Sequence, residues 1–179
     1  MLSIIGVAPH PPLIIPAIGR TELSKVERTV EGMQVLCRRI KEAKPEILII
    51  ITPHGRIARE GPTVLTDDQL TGHFGRFGFP EIRIAFQTDK YLIELLESET
   101  ATESIKPVLI SGREHSIHGG EALDHGAMVP LYYLQQAGVS VPGLHLTIGL
   151  QPYHMLYQFG RSLRRAVEKR GLPAAVLAS

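Results

Sequence analysis

Several features that would restrict the class of this protein are absent from its sequence. The single cysteine, Cys37, cannot form an intrachain disulfide, which is typical of a reducing compartment. No apolar run approaches the roughly 20 residues that cross a bilayer, and no secretory signal pattern follows Met1. We therefore expect a cytoplasmic protein with no membrane partner.

The sequence also has no excess of charge of one sign. Lys and Arg number 19 and Asp and Glu number 18, so the formal net charge is +1. This balance gives no electrostatic reason to expect nucleic acid as a partner. There is no glycine-rich phosphate loop with lysine, no GxSxG elbow, no CxxC pair and no HExxH. These absences argue against nucleotide hydrolysis, α/β-hydrolase chemistry, zinc ribbons and zincins.

What is present is the pattern of an α/β domain. The 179 residues are 44% hydrophobic, enough for one domain with a core. Residues 2–8 and 47–51 are apolar runs typical of buried strands, and residues 21–43 between them have a helical period. This order predicts a right-handed crossover and two parallel strands. We expect a mostly parallel or mixed central sheet with helices on both faces.

The rest of the chain continues the same alternation. Further strands are expected over residues 63–66, 82–86, 107–110 and 144–150, and helices over 89–99, 127–136 and from Pro152 onward. Residues 72–80 are predicted to form a loop rich in glycine and aromatics, and residues 111–124 a polar loop. Residues 174–179 resemble the start of another core strand. We expect one domain over residues 1–179 that is incomplete at its C-terminus.

Two histidines follow directly after apolar runs, each beside a proline. His10 ends the first predicted strand and His54 ends the second. Loops after neighbouring parallel strands emerge at the carboxyl edge of the sheet, where ligands bind. Because imidazole is the commonest nitrogen ligand of transition metals, the pair predicts a shared metal site. The alternative is two loop histidines bonded to backbone.

A third histidine, His125, stands at the entrance to a predicted helix, directly after Asp124. One interpretation is that Asp124 or a backbone carbonyl fixes the tautomer of His125. The other is that Asp124 is only an N-cap and that His125 is a surface residue. Spacing alone leaves both open.

The other histidines are less informative. His145 is expected to be structural, His154 solvent-facing and His73 a pocket residue, while either His115 or His118 could reach the site.

Three motifs together resemble a known family. They are Val7-Ala8-Pro9-His10-Pro11-Pro12, Ile51-Thr52-Pro53-His54-Gly55, and Leu123-Asp124-His125-Gly126 followed by Val129-Pro130-Leu131. In order and spacing they resemble the class III extradiol ring-cleavage dioxygenases, in the LigB-like catalytic subunit family. The resemblance extends over essentially the whole chain.

The resemblance implies a mononuclear Fe(II) site with two histidines and one carboxylate. His10 and His54 would be the iron ligands, and His125 would match the proton-donating histidine. The implied partners are a small catechol-like aromatic, whose ring is opened beside the diol, and O2. A homo-oligomer, or a fused or partner domain, is also expected.

The sequence departs from the family in two respects. The family has a second catalytic histidine in a Ser-His motif and a later glutamate ligand, and residues 1–179 contain neither. The chain would then be the N-terminal part of the domain and bind iron weakly. Glu121 and Asp124 are nearby carboxylates, but no family motif makes either the ligand.

The second departure is that Glu114-His115-Ser116-Ile117 resembles a motif of Memo-type relatives. Val129-Pro130-Leu131 nevertheless favours His125 as the residue that matches the dioxygenase motif. The alternatives are therefore a Memo-like metal-pocket binding module without ring cleavage, or a zinc hydrolase using the same histidines.

Overall fold

The computed structural model describes residues 1–111 and 122–179. In these two ranges the strands, in chain order, are β1 (Leu2–Val7), β2 (Ile47–Thr52), β3 (Thr63–Leu65), β4 (Gln69–Phe74), β5 (Phe79–Gln87), β6 (Val108–Ile110), β7 (Gly143–Thr147) and β8 (Ala174–Ala178). The α-helices are α1 (Pro16–Gly19), α2 (Glu27–Glu42), α3 (Lys90–Thr100), α4 (His125–Gln136) and α5 (Tyr153–Arg170). Short 3-10 helices cover Pro12–Ile14, Arg20–Lys25 and Gly75–Phe77.

Six strands form one mixed sheet in the order β1-β8-β2-β7-β3-β6. All neighbours run parallel except β3 and β7, which are antiparallel. Strands β4 and β5 pair separately as an antiparallel ribbon. The predicted α/β fold with a mixed central sheet is confirmed.

Helices cover both faces of the sheet, as predicted. In β2, Leu48 and Ile50 pack into one apolar cluster with α2 and α4, whereas Ile47 and Ile49 pack into another with α3 and α5. All four side chains are at most 2% exposed. Since successive residues of a strand point to opposite faces, a strand buried on both faces must be apolar throughout.

The loops that carry His10 and His54 emerge at the same edge of the sheet, because β1 and β2 run in the same direction. They do not follow adjacent strands, however. Strand β8 lies between β1 and β2, with Val176 paired to Ile5 on one side and to Ile49 on the other. The prediction of neighbouring strands was wrong on this point, because strand order is set by tertiary pairing. The predicted core strand near residues 174–179 is confirmed and lies inside the sheet.

Two other predictions need correction. Residues 72–80 do not form a loop: Gly72 to Phe74 complete β4, and β5 begins at Phe79 after a turn with Gly78 at φ 87°. Strand β7 ends at Thr147, so the predicted extension to Leu150 is wrong. Leu150 is 82% exposed. The alternation of apolar residues over 144–150 therefore does not indicate where the strand pairing of β7 ends. None of the described helices is long and apolar enough to span a bilayer.

Candidate metal centre

Three imidazoles from separate stretches of chain meet at the carboxyl edge of the sheet. His10 Nε2 lies 2.9 Å from His54 Nε2. The ring centroids of His54 and His125 are 4.1 Å apart, and those of His10 and His125 are 5.7 Å apart. One ring nitrogen from each histidine lies within 4.8 Å of the others. This grouping, which we call the histidine cluster, has the composition and spacing of a metal site.

The cluster can be reached from solvent. His10 and His125 are half-buried and His54 is exposed. Phe77, from the 3-10 turn after β4, places its ring 5.8 Å from that of His125, edge to face. The cluster therefore has an aromatic wall on the side of the β4–β5 ribbon.

Both half-buried histidines favour the neutral form. Burial, followed by the neighbouring His54, lowers the pKa of His10, and Asp124 only partly opposes the change. Burial and then His54 also lower the pKa of His125. Neutral imidazole is the form that offers a lone pair to a metal or accepts a proton.

A buried polar network lies beneath the cluster and is centred on Asp124. The Thr52 hydroxyl donates to Asp124 Oδ1 at 2.7 Å and itself accepts from the His54 N–H at 3.2 Å. His145 Nε2 lies 3.2 Å from Asp124 Oδ2. Asp124 Oδ1 also accepts from the Ala127 N–H at 3.2 Å, so it caps α4. One carboxylate thus connects the loop of His54 to the helix that begins with His125.

This arrangement decides between the two roles considered for Asp124. Asp124 is the N-cap of α4, as one alternative predicted, but His125 is half-buried and its ring lies 4.1 Å from that of His54. Within residues 1–111 and 122–179, the Asp124 carboxylate bonds to Thr52, Ala127 and His145 rather than to the ring of His125, so the prediction that it fixes the tautomer of His125 finds no support. The side chain of an N-cap residue bonds to backbone N–H groups of its own helix. It therefore does not determine the direction of the next side chain, which here is His125.

We expect Asp124→Asn to lower the free energy of unfolding by about 2 kcal/mol at neutral pH, the usual contribution of a hydrogen bond to a charged group. Burial alone would raise the pKa of Asp124, but His145, Thr52 and the Ala127 N–H together lower it. The stabilisation is therefore present above the unfolded-state pKa of about 3.9 and is lost as pH falls through the lower folded-state pKa.

Chemical denaturation of wild type and Asp124→Asn at pH 7 measures the loss of unfolding free energy. The same measurement repeated down to pH 3 records how the difference between the two proteins begins to shrink below the unfolded-state pKa. Asp68→Asn is the matched control, because Asp68 pairs with Lys90 at 2.9 Å on the surface. That change should have little effect, as exposed pairs contribute roughly 0–1 kcal/mol. Equal stability losses in the two variants would contradict the role given to Asp124.

Gly126 allows the first turn of α4 to approach the cluster closely. A Cβ at this position would lie 2.3 Å from Thr52 Oγ1 and 3.1 Å from His54 Cδ2. We expect Gly126→Ala to displace the His54 loop, to cost about 1–3 kcal/mol in unfolding free energy and to weaken metal binding.

Gly32→Ala in α2 provides the matched control, since nothing lies within 4 Å of its added Cβ. In a helix interior that change should stabilise the protein by about 0.5–1 kcal/mol. Thermal unfolding and metal titration of both variants would test this. A Gly126→Ala protein as stable as wild type, with unchanged metal affinity, would show that the approach is not required.

The other histidines have different roles. His145 is fully buried in the Asp124 network, which confirms a structural role, and His154 is exposed as predicted. His73 Nδ1 accepts from the Gly75 N–H at 2.9 Å, so it stabilises the turn after β4 rather than joining the cluster. His115 and His118, with the Glu114-His115-Ser116-Ile117 motif and Glu121, lie outside the described residues.

Sequence reasoning missed two residues of the site, Thr52 and Ser179. Thr52 ends the apolar run of β2, and Ser179 follows the apolar run of β8, both at the carboxyl edge. The structural role of His145 is predicted, but its bond to Asp124 is not. Within residues 1–111 and 122–179, no carboxylate joins the histidine cluster.

Comparison with known proteins identifies the class of protein that this fold and cluster define. Residues 5–179 match the family described as the catalytic LigB subunit of aromatic ring-opening dioxygenase. The chain belongs to this family. It is also similar to Protein CA_C1420 of Clostridium acetobutylicum, with 29% identity over 172 residues. The match covers 96% of this chain and 37% of that relative, so the chain spans less than half of the relative's length.

Proposed function

We propose that this chain contributes the metal centre of a non-haem Fe(II) extradiol dioxygenase, which opens a catechol-like aromatic ring with O2. The convergence of His10, His54 and His125 carries the proposal, since three distant segments place ring nitrogens within 4.8 Å of one another. Membership of a ring-opening dioxygenase family supports the reaction class.

The residues of the cluster are chemically suited to such an ion. His10 and His54 would hold it, because their Nε2 atoms already face each other at 2.9 Å. Imidazole suits ferrous iron as well as zinc, and a site with few protein ligands leaves positions for a substrate. When bound, iron would bring the diol and O2 together and lower the pKa of a diol hydroxyl.

His125 would handle protons in this scheme. As a neutral imidazole it can accept a proton from a substrate hydroxyl and return it later in the reaction. Its ring centroid lies 4.1 Å from that of His54, with the two planes tilted by 31°, and 5.8 Å from that of Phe77. An aromatic substrate would therefore meet a proton acceptor and an apolar wall side by side.

The test is anaerobic reconstitution of the full-length protein with Fe(II), followed by addition of O2 and a panel of catechols. We expect one equivalent of O2 consumed per equivalent of substrate and a yellow ring-opened product. An iron-loaded protein that consumes no O2 with any member of a broad panel would contradict the proposal.

A zinc hydrolase is a second candidate, favoured by one observation. Three imidazoles without a carboxylate are a known zinc ligand set, and that is the composition of the cluster within the described residues. Retention of zinc through purification, with ester or amide hydrolysis and no O2 consumption, would favour this candidate. A protein that binds no stoichiometric metal but captures a peptide or protein would instead favour a Memo-like binding module.

A further inference from the structure

Ser179, which follows β8, contacts two parts of the histidine cluster at once. Its Oγ lies 2.7 Å from His10 Nδ1 and 2.6 Å from the carbonyl oxygen of Gly126. Its main chain is also fixed, because its N–H donates to the Ile51 carbonyl at 2.9 Å. The hydroxyl therefore joins the loop after β1 to the first turn of α4 from a defined position in the sheet.

The serine hydroxyl has a single proton, and its two neighbours determine where that proton lies. A carbonyl oxygen can only accept, so the 2.6 Å contact with Gly126 requires Ser179 to donate to it. The hydroxyl oxygen can then only accept from His10, which places the ring proton of His10 on Nδ1. The Nε2 atom of His10 is left with its lone pair, and it faces His54.

We propose that Ser179 is a positioning residue that sets the tautomer of His10 and keeps its Nε2 available as a metal ligand. A ligating histidine usually donates its other N–H to a carboxylate, a backbone carbonyl or water, which orients the ring and raises its basicity. Here the Ser179 hydroxyl accepts this hydrogen bond from His10 and donates its own to the carbonyl of Gly126. The inference rests on the metal role proposed for His10, but the tautomer itself is a property of the metal-free protein.

The bond also couples His10 to His125 through the backbone. Gly126 follows His125 in the first turn of α4, and no side chain at position 126 separates this turn from the His54 loop. A hydroxyl bonded to both His10 and Gly126 therefore holds the first imidazole at a fixed distance from the turn that carries the third. Loss of the hydroxyl removes this restraint while leaving all three histidines in place.

The first test uses ¹⁵N NMR of the histidine rings in the metal-free, full-length protein. We expect wild-type His10 to have its proton on Nδ1, Ser179→Ala to shift it toward Nε2, and Ser179→Thr, which keeps a hydroxyl, to restore it. Ser24→Ala is the control, because Ser24 is exposed and donates to the nearby Thr21 carbonyl. An unchanged His10 tautomer in a folded Ser179→Ala protein would overturn the proposal.

The second test measures binding of Zn(II), a redox-inactive probe, by calorimetry. Removing a partner of a ligating histidine usually weakens metal binding by roughly 10–100-fold, so we expect that loss in Ser179→Ala and recovery in Ser179→Thr. Equal zinc affinity in wild type and Ser179→Ala would overturn the positioning role. A wild-type protein that binds no zinc or iron would count against the metal centre, and the tautomer measurement would still decide what Ser179 does.

Discussion

His10→Ala or His54→Ala is expected to abolish binding of Fe(II) and Zn(II) in the full-length protein. Each change removes one of two ring nitrogens that face each other at 2.9 Å. Loss of a partner of a ligand weakens metal binding by roughly 10–100-fold, and loss of a ligand itself should exceed that range. Metal content after dialysis and calorimetric titration both measure the effect.

The matched control for this pair is His154→Ala. His154 lies in the first turn of α5, exposed and outside the cluster. Its replacement should leave metal content at the wild-type value, which separates a local loss of ligand from a general loss of histidine. Near wild-type metal affinity in both His10→Ala and His54→Ala would show that the ion is held elsewhere.

The second large effect is expected from His125→Ala, which should keep the metal but slow turnover by roughly 10²–10⁴-fold, the usual contribution of general acid–base catalysis. His125 contacts His54 and Phe77, and burial lowers its pKa. The neutral ring is therefore placed to accept and return a proton. Steady-state kinetics with the best catechol of the panel, beside a metal assay on the same sample, measures the separation.

Added imidazole provides a further check on His125. If the residue transfers protons, free imidazole should restore part of the lost rate in His125→Ala without changing metal content. If His125→Ala retains full activity, the catalytic assignment is wrong. If the variant loses its metal instead, His125 is a third ligand. That result would agree with a zinc site made of three imidazoles.

The sequence allowed the His10–His54 pair to be predicted because a βαβ unit constrains geometry strongly. An apolar run, an amphipathic helix and a second apolar run determine that both strands point the same way. The two loops must then share an edge of the sheet, whatever lies between the strands. Strand β8 does lie between them, and the prediction of convergence is confirmed without the adjacency that it assumed.

The position of His125 could not be derived from local pattern in the same way. Its approach depends on how α4 packs against β2, and on the close contact that Gly126 permits with Thr52. Motif resemblance drew attention to the residue, and the structure brings it to the other two rings. Its catalytic role stays a prediction.

The Asp124 and Ser179 contacts were outside the reach of sequence reasoning for a related reason. The Asp124–His145 bond joins residues 21 apart, and the Ser179–His10 bond joins residues 169 apart. Neither spacing belongs to a local motif. The sequence did offer one signal, which is that polar residues at the ends of apolar runs lie at the carboxyl edge of the sheet. This signal applies to Thr52 and Ser179 as well as to the histidines.

The proposed function requires His10, His54 and His125 to surround one metal ion. Crystals of the metal-loaded protein, measured at the absorption edge of the bound metal, would show where that ion lies. We expect a single strong anomalous peak within bonding distance of His10 Nε2 and His54 Nε2, beside the ring of His125. A metal-loaded protein whose anomalous peak lies away from these rings, or whose rings point to separate surfaces, would contradict it.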